Sequence, residues 1–164
     1  MYAGRFFLLA LKRTERCKMV DLFRDIPEEQ IEHILSNIRA NLGRVDLYDG
    51  HTIKKHVDIQ PGVLKTRITM SDIRYATSFY DFKIAKAAVK SLLEQCYEGK
   101  IARWLLSSYE DILVLHTDFR RAIGYGYRRE DDTLHEGLSK MRLVLQKEEA
   151  RDWGFRIVTC FPTF

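Results

Sequence analysis

Hydrophobic positions recur with a helical period in two stretches of the chain and with a period of two near its end. Ile31, Ile34, Leu35, Ile38 and Leu42 follow one another at spacings of three and four, the stripe that one face of an α-helix turns toward a core. Asp25, Pro27 and the pair Glu28–Glu29 give this helix a capping candidate, a fixed φ and negative charge in its first turn, and Gly43 gives it a stop. A second helix is expected over about residues 81–96. Ala85, Ala88, Val89, Leu92, Leu93 and Cys96 share its buried face, Lys83, Lys86, Lys90 and Glu94 lie off that face, and Gly99 ends it. Between the two, Asp49–Gly50 signals a turn, and residues 49–58 read as that turn followed by a short helix. Beyond residue 110 the period changes. Residues 111–116 form a short apolar run, and residues 122–127 set Gly124 and Gly126 between aromatics, as in a strand with a bend or a close backbone approach. Met141, Leu143 and Leu145 alternate with Arg142, Val144 and Gln146, and Phe155, Ile157, Thr159 and Phe161 alternate with Arg156, Val158 and Cys160. The polar loop at 147–153 makes these last two strands an antiparallel hairpin. Helices first and strands later predict an α+β domain, not an alternating parallel sheet.

At 164 residues the chain has room for one domain, at most with a helical extension. Dividing the charge refines this. Residues 1–49 hold 8 Lys/Arg and 8 Asp/Glu, whereas residues 50–164 hold 19 and 15, so the net charge of +4 belongs entirely to the later part. A mild positive excess suits a polyanionic partner, and it is equally what a solvated surface with a slight surplus of Lys and Arg looks like. No window reaches 18 apolar residues, so no membrane-spanning segment is expected. The apolar run at 6–11 meets Lys12 and Arg13 at once and is too short for a signal-peptide core. Three cysteines, Cys17, Cys96 and Cys160, allow one bridge at most, which excludes a disulfide framework. Residues 1–49 carry no recognisable site and read as a helical packing or delivery element, leaving 50–164 as the functional domain.

The candidate chemistry within 50–164 is sparse. His51 and His56 are five apart. On a helix that turns the second ring about 140° from the first, where a zinc pair wants a spacing of four, and no acidic or cysteine ligands stand at matching distances. Neither a metal nor a cofactor is expected. The same pair suits acid–base chemistry, because imidazole titrates near working pH, and it is equally compatible with structural or merely exposed histidines. Tyr75, Tyr80, Tyr97, Tyr109, Tyr125 and Tyr127 can stack on bases or serve as half-buried aromatics on strands. Gly124–Tyr125–Gly126 lacks the third glycine of a dinucleotide loop and opens no helix. Cys160 lies in an apolar strand without a basic neighbour, the setting of an inert thiol.

Several motifs taken in order are more specific. Gly50–His51–Thr52–Ile53–Lys54–Lys55–His56–Val57 is followed by Arg67, eleven residues after the second His. Ala76–Thr77–Ser78–Phe79–Tyr80–Asp81 comes next, before a helix. Then follow Trp104–Leu105, Gly124–Tyr125–Gly126, Val144–Leu145 and the closing Phe155–Arg156–Ile157–Val158–Thr159–Cys160–Phe161–Pro162. In this order and spacing, residues 50–164 resemble the bacterial ribonuclease A-like toxin domains found at the C-termini of contact-dependent growth inhibition proteins.

The resemblance implies a kidney-shaped α+β domain like that of pancreatic ribonuclease, with N-terminal helices followed by a twisted antiparallel sheet and without the disulfides. It implies a metal-independent endoribonuclease that cuts RNA by 2′-hydroxyl attack to leave a 2′,3′-cyclic phosphate. It also implies a monomeric antibacterial toxin, a secreted or delivered effector that acts in the cytoplasm of a target cell and is neutralised in its producer by a cognate immunity protein. The family's site residues fall on His56, Arg67, Thr159 and Phe161, with His51 either orienting the loop or assisting. The chemistry suits the types: a His takes the 2′-hydroxyl proton, a guanidinium meets charge developing on the phosphoryl oxygens, and a Thr donates to the same oxygens. Phe161 is a departure, since the family places a Tyr there, and a Phe cannot donate a hydrogen bond. The alternative is therefore a weak or inactive module of the same fold that binds RNA or protein.

Overall fold

The computed structural model describes residues 26–164 apart from Asp46, Asp49 and Ser108. The capping candidate Asp25, the Asp49 half of the turn, the apolar run at 6–11 and Cys17 lie outside the described residues. The first helix, α1, spans Glu28–Asn41, with Glu28 and Glu29 in its first turn and Arg39 in its last. Its apolar stripe packs on the rest of the chain. Ile38 is fully buried in the same cluster as Leu47, Phe79, Leu92, Leu93 and Trp104, and Leu35 closes on Ala102.

Two short helices follow, α2 (Thr52–His56) and α3 (Pro61–Met70), then strand β1 (Tyr75–Phe79). Helix α4 (Phe82–Cys96) starts where the side chain of Asp81 accepts a hydrogen bond from the Ile84 N–H at 2.8 Å, and it buries the face expected of it. It does not end at Gly99. The chain continues through a π-helical turn (Tyr97–Ile101) into α5 (Ala102–Leu106), because Ile101, Ala102 and Trp104 still have to be buried. Gly99 does not take the positive φ by which a glycine closes a helix.

Strands β2 (Ile112–Asp118), β3 (Gly124–Arg128), β4 (His135–Leu138), β5 (Lys140–Lys147) and β6 (Phe155–Thr163) complete the chain. They form two antiparallel three-stranded sheets, ordered β1–β3–β4 and β2–β5–β6. The α+β architecture is the one expected, with β5 and β6 as the antiparallel pair. The sheets are tied where the Thr77 hydroxyl donates to the Pro162 carbonyl at 2.6 Å. Gly124 sits at this junction: a Cβ there would lie 2.2 Å from the Ser78 carbonyl oxygen and 2.6 Å from Pro162 Cγ, so only glycine fits.

A bulge in β6 decides which side chains face the site. Val144 pairs with Thr159 and Leu145 with Ile157, which leaves Val158 as the extra residue. Before the bulge Phe155 and Ile157 are fully buried in the core; after it Cys160 takes the core side. The uniform alternation read from residues 155–161 is thus corrected: Thr159 and Phe161 lie on the face opposite the core, although Phe155 and Ile157 share their odd numbering.

Candidate functional site

The opening motif docks on the β6 bulge. His51 N–H donates to the Val158 carbonyl at 3.3 Å, and the Cys160 N–H donates to the buried Thr52 hydroxyl at 2.8 Å. A Cβ on Gly50 would stand 2.1 Å from the Val158 carbonyl oxygen, so this approach requires glycine. Thr52, which composition and spacing did not single out, therefore anchors α2 to β6. At the far end of α2 the chain leaves along β1, where Val57 bridges Phe79 and the Asp58 N–H reaches the Phe79 carbonyl at 3.1 Å. His51 and His56 are thereby fixed at the two ends of α2, with ring centroids 5.9 Å apart. His51 precedes the helix, so the angle expected for two residues on one helix does not describe the pair.

His56 is 8% exposed. Its Nδ1 lies 3.2 Å from the Thr77 carbonyl oxygen. A carbonyl can only accept, so Nδ1 carries the proton and Nε2 keeps its lone pair. Burial lowers the pKa of His56 to about 4; the Thr77 bond opposes this, and the positive charge of Arg67, with His51 and Lys55 behind it, adds to the depression. The imidazole is neutral at physiological pH. Burial, then Lys55 and Arg67, lower His51 as well.

Arg67 is half-buried on α3 and reaches back to donate from Nη1 to the Lys55 carbonyl at 2.7 Å, one residue before His56. Burial lowers its own pKa, yet a guanidinium stays charged throughout the working range. On the other side, the Phe161 ring stacks on His56 at 4.9 Å between centroids and 29° between planes, and Tyr75 stands 6.3 Å from Phe161. Thr159, on the same side of β6 as Phe161, is 8% exposed, and its Oγ1 is buried without a hydrogen-bond partner. The fold therefore brings His51, His56 and Phe161 into one group under the charge of Arg67 and sets Thr159 on the strand face that carries Phe161.

Other candidates fall away from this group. Cys160 is fully buried and its thiol is pushed up to about 12, chiefly by burial, as befits an inert thiol. Tyr125 donates to the Ile59 carbonyl at 2.9 Å and packs against Tyr80. A cleft of 680 Å³ lined by residues including Ile34, Asn37, Lys147 and Trp153 contains none of the site residues.

The model of the bacterial CdiA-CT RNAse A domain family matches residues 50–162. The chain belongs to this family. At the level of the family it is a ribonuclease-type toxin domain, and the match begins at the glycine that docks on the β6 bulge. A solved structure described as a CdiA-CT/CdiI complex from Y. kristensenii 33638 superposes with a TM-score of 0.65 at 23% identity, covering 70% of this chain and 100% of that one. It shares the CdiA-CT fold. Comparison with curated protein sequences gives no match.

Proposed function

We propose that residues 50–164 are a metal-independent endoribonuclease in which His56 is the general base. The observation that carries this reading is the His56 ring itself: neutral, oriented by Thr77, stacked on Phe161, and next to the fixed charge of Arg67. Nε2 takes the proton of the ribose 2′-hydroxyl, and the freed oxygen attacks the adjacent phosphorus. The bond from phosphorus to the 5′-oxygen breaks, leaving a 2′,3′-cyclic phosphate. Arg67 and Thr159 hold the phosphoryl oxygens as their charge grows. A bound phosphate raises the pKa of a neighbouring imidazole, which fits His51 to protonate the leaving oxygen.

In this reading the protein is a monomeric effector acting in the cytoplasm of a target cell, neutralised by an immunity protein, as the complex named for the solved relative suggests. Residues 1–49 are read as an extension to that domain, and α1, within its described part, packs on the rest of the chain. The Phe161 stack also favours a second reading, a domain that binds RNA and cuts it poorly. One experiment separates the two. Purified protein is incubated with total RNA in excess EDTA and the new ends are analysed: cyclic phosphates support the nuclease, and binding without cleavage supports the second reading.

A further inference from the structure

We infer that Arg142 is a second phosphate-binding guanidinium of the site, standing on β5 beside the position where the family hydroxyl is missing. The inference rests on the ribonuclease reading above. In the β5–β6 ladder Arg142 pairs directly with Phe161, and directly paired residues project their side chains to the same face. Phe161 projects onto His56, so Arg142 leaves the sheet on the site face. Its neighbours on β5, Met141 and Leu143, are fully buried on the other face.

The surroundings of Arg142 are unusual for a half-buried cation. Its Nε is buried and has no hydrogen-bond partner, and its guanidinium forms no ion pair among the described residues. The row across the sheet runs His116–Arg142–Phe161, with Val114–Val144–Thr159 on one side and Asp118–Lys140–Thr163 on the other; Asp118, the one carboxylate among them, accepts from the Arg120 N–H at 2.9 Å and lies opposite Lys140, not Arg142. Thr159, diagonal to Arg142 and within reach of a long side chain, also carries a buried oxygen without a partner. Two buried polar groups on one face of the sheet, Arg142 Nε and Thr159 Oγ1, thus lack a partner, and a guanidinium cannot shed its proton to relieve the deficit. Burying such donors unmet is unfavourable. The ligand that satisfies both presents several anionic oxygens at once, as a phosphodiester does, and forked N–H groups match that shape. Arg67 reaches from α3 to the Lys55 carbonyl beside His56, and Arg142 stands opposite Phe161 on β5, so the two guanidinium groups flank the place a phosphate would take at the His56–Phe161 stack. Arg142 then supplies a donor that Phe161 cannot.

The test uses Arg142→Gln, Arg142→Lys and Arg142→Met in the full chain, with His56→Ala as reference. Single-turnover RNA cleavage is expected to fall about 10²-fold or more in the Gln and Met variants, the usual effect of removing one donor aimed at developing charge, with partial recovery in the Lys variant. Affinity for a 2′-O-methyl RNA oligonucleotide, which cannot cyclise, should weaken at least tenfold in the Gln variant and lose roughly 0.7 of its log–log salt slope. Arg142→Met should melt at the wild-type temperature or above, because it removes an unmet donor; a structural arginine would do the opposite. Wild-type cleavage and affinity in a folded Gln variant overturn the inference, as does a fall in melting temperature without loss of cleavage. If wild type cuts RNA and His56→Ala does not, an active Arg142→Gln sinks this inference alone. If wild type does not cut, the ribonuclease reading fails, and the oligonucleotide affinities still decide for or against Arg142.

Discussion

Replacing His56 with Gln should remove a specific part of the protein's acid sensitivity. Burial and the neighbouring positive charges hold the folded-state pKa at about 4, against 6.5 for an unperturbed histidine. Between those values the unfolded chain binds a proton that the folded chain refuses. Stability from this group is therefore complete above pH 6.5, declines as pH falls through the window, and is fully lost below about 4. At roughly 1.4 kcal/mol per pH unit, the gap corresponds to about 3 kcal/mol. For a chain of this size that is about 6–12 °C of melting temperature. The assay is thermal unfolding by circular dichroism at pH 7, 6, 5 and 4 for wild type and His56→Gln. Carboxylates titrate in both proteins and cancel in the comparison. Wild type is expected to lose about 3 kcal/mol more than the variant between pH 7 and 4. Parallel curves would mean that His56 is not held neutral by its surroundings.

Further outcomes follow from the same geometry. Phe161→Tyr should raise single-turnover cleavage, and raise it more when Arg142 is Gln, since both side chains would donate to the same phosphate; no gain in either background would show that a hydroxyl at 161 does not reach the reacting centre. Gly50→Ala places a methyl group 2.1 Å from the Val158 carbonyl oxygen, so urea unfolding should show a loss of about 1–3 kcal/mol, with cleavage falling as His51 and α2 shift. Asp81→Ala removes the α4 cap and should cost about 1 kcal/mol while leaving the cleavage rate of the folded protein unchanged.

The parts of this fold that can be read from sequence are those whose burial is periodic. Helix α4 announces itself through five buried apolar positions on one face, and β5 through strict alternation. Helix α3 escapes because Leu64 is its only buried residue, so it has no stripe. Strand β1 escapes because Ala76, Thr77, Ser78 and Phe79 are all buried and the polar members read as surface; β4 is only four residues long. The β6 bulge is invisible in a run that alternates equally well with or without it, although it sets the face on which Thr159 and Phe161 stand. The candidate site came from motif order, not periodicity. The position of Arg142 is hidden for the converse reason: in an alternating strand an arginine at a non-core position reads as solvated, and only the register shows it opposite Phe161.

In the proposed mechanism a neutral His56 starts RNA cleavage without a metal. Its most direct test is single-turnover cleavage of a defined RNA by wild type and His56→Ala in excess EDTA, with both proteins shown to be folded and the product ends identified. Wild type should leave a 2′,3′-cyclic phosphate, and the variant should cut at a rate lower by roughly 10²–10⁴-fold. An unchanged rate in folded His56→Ala, or cleavage that stops in EDTA and returns with a divalent cation, would contradict it.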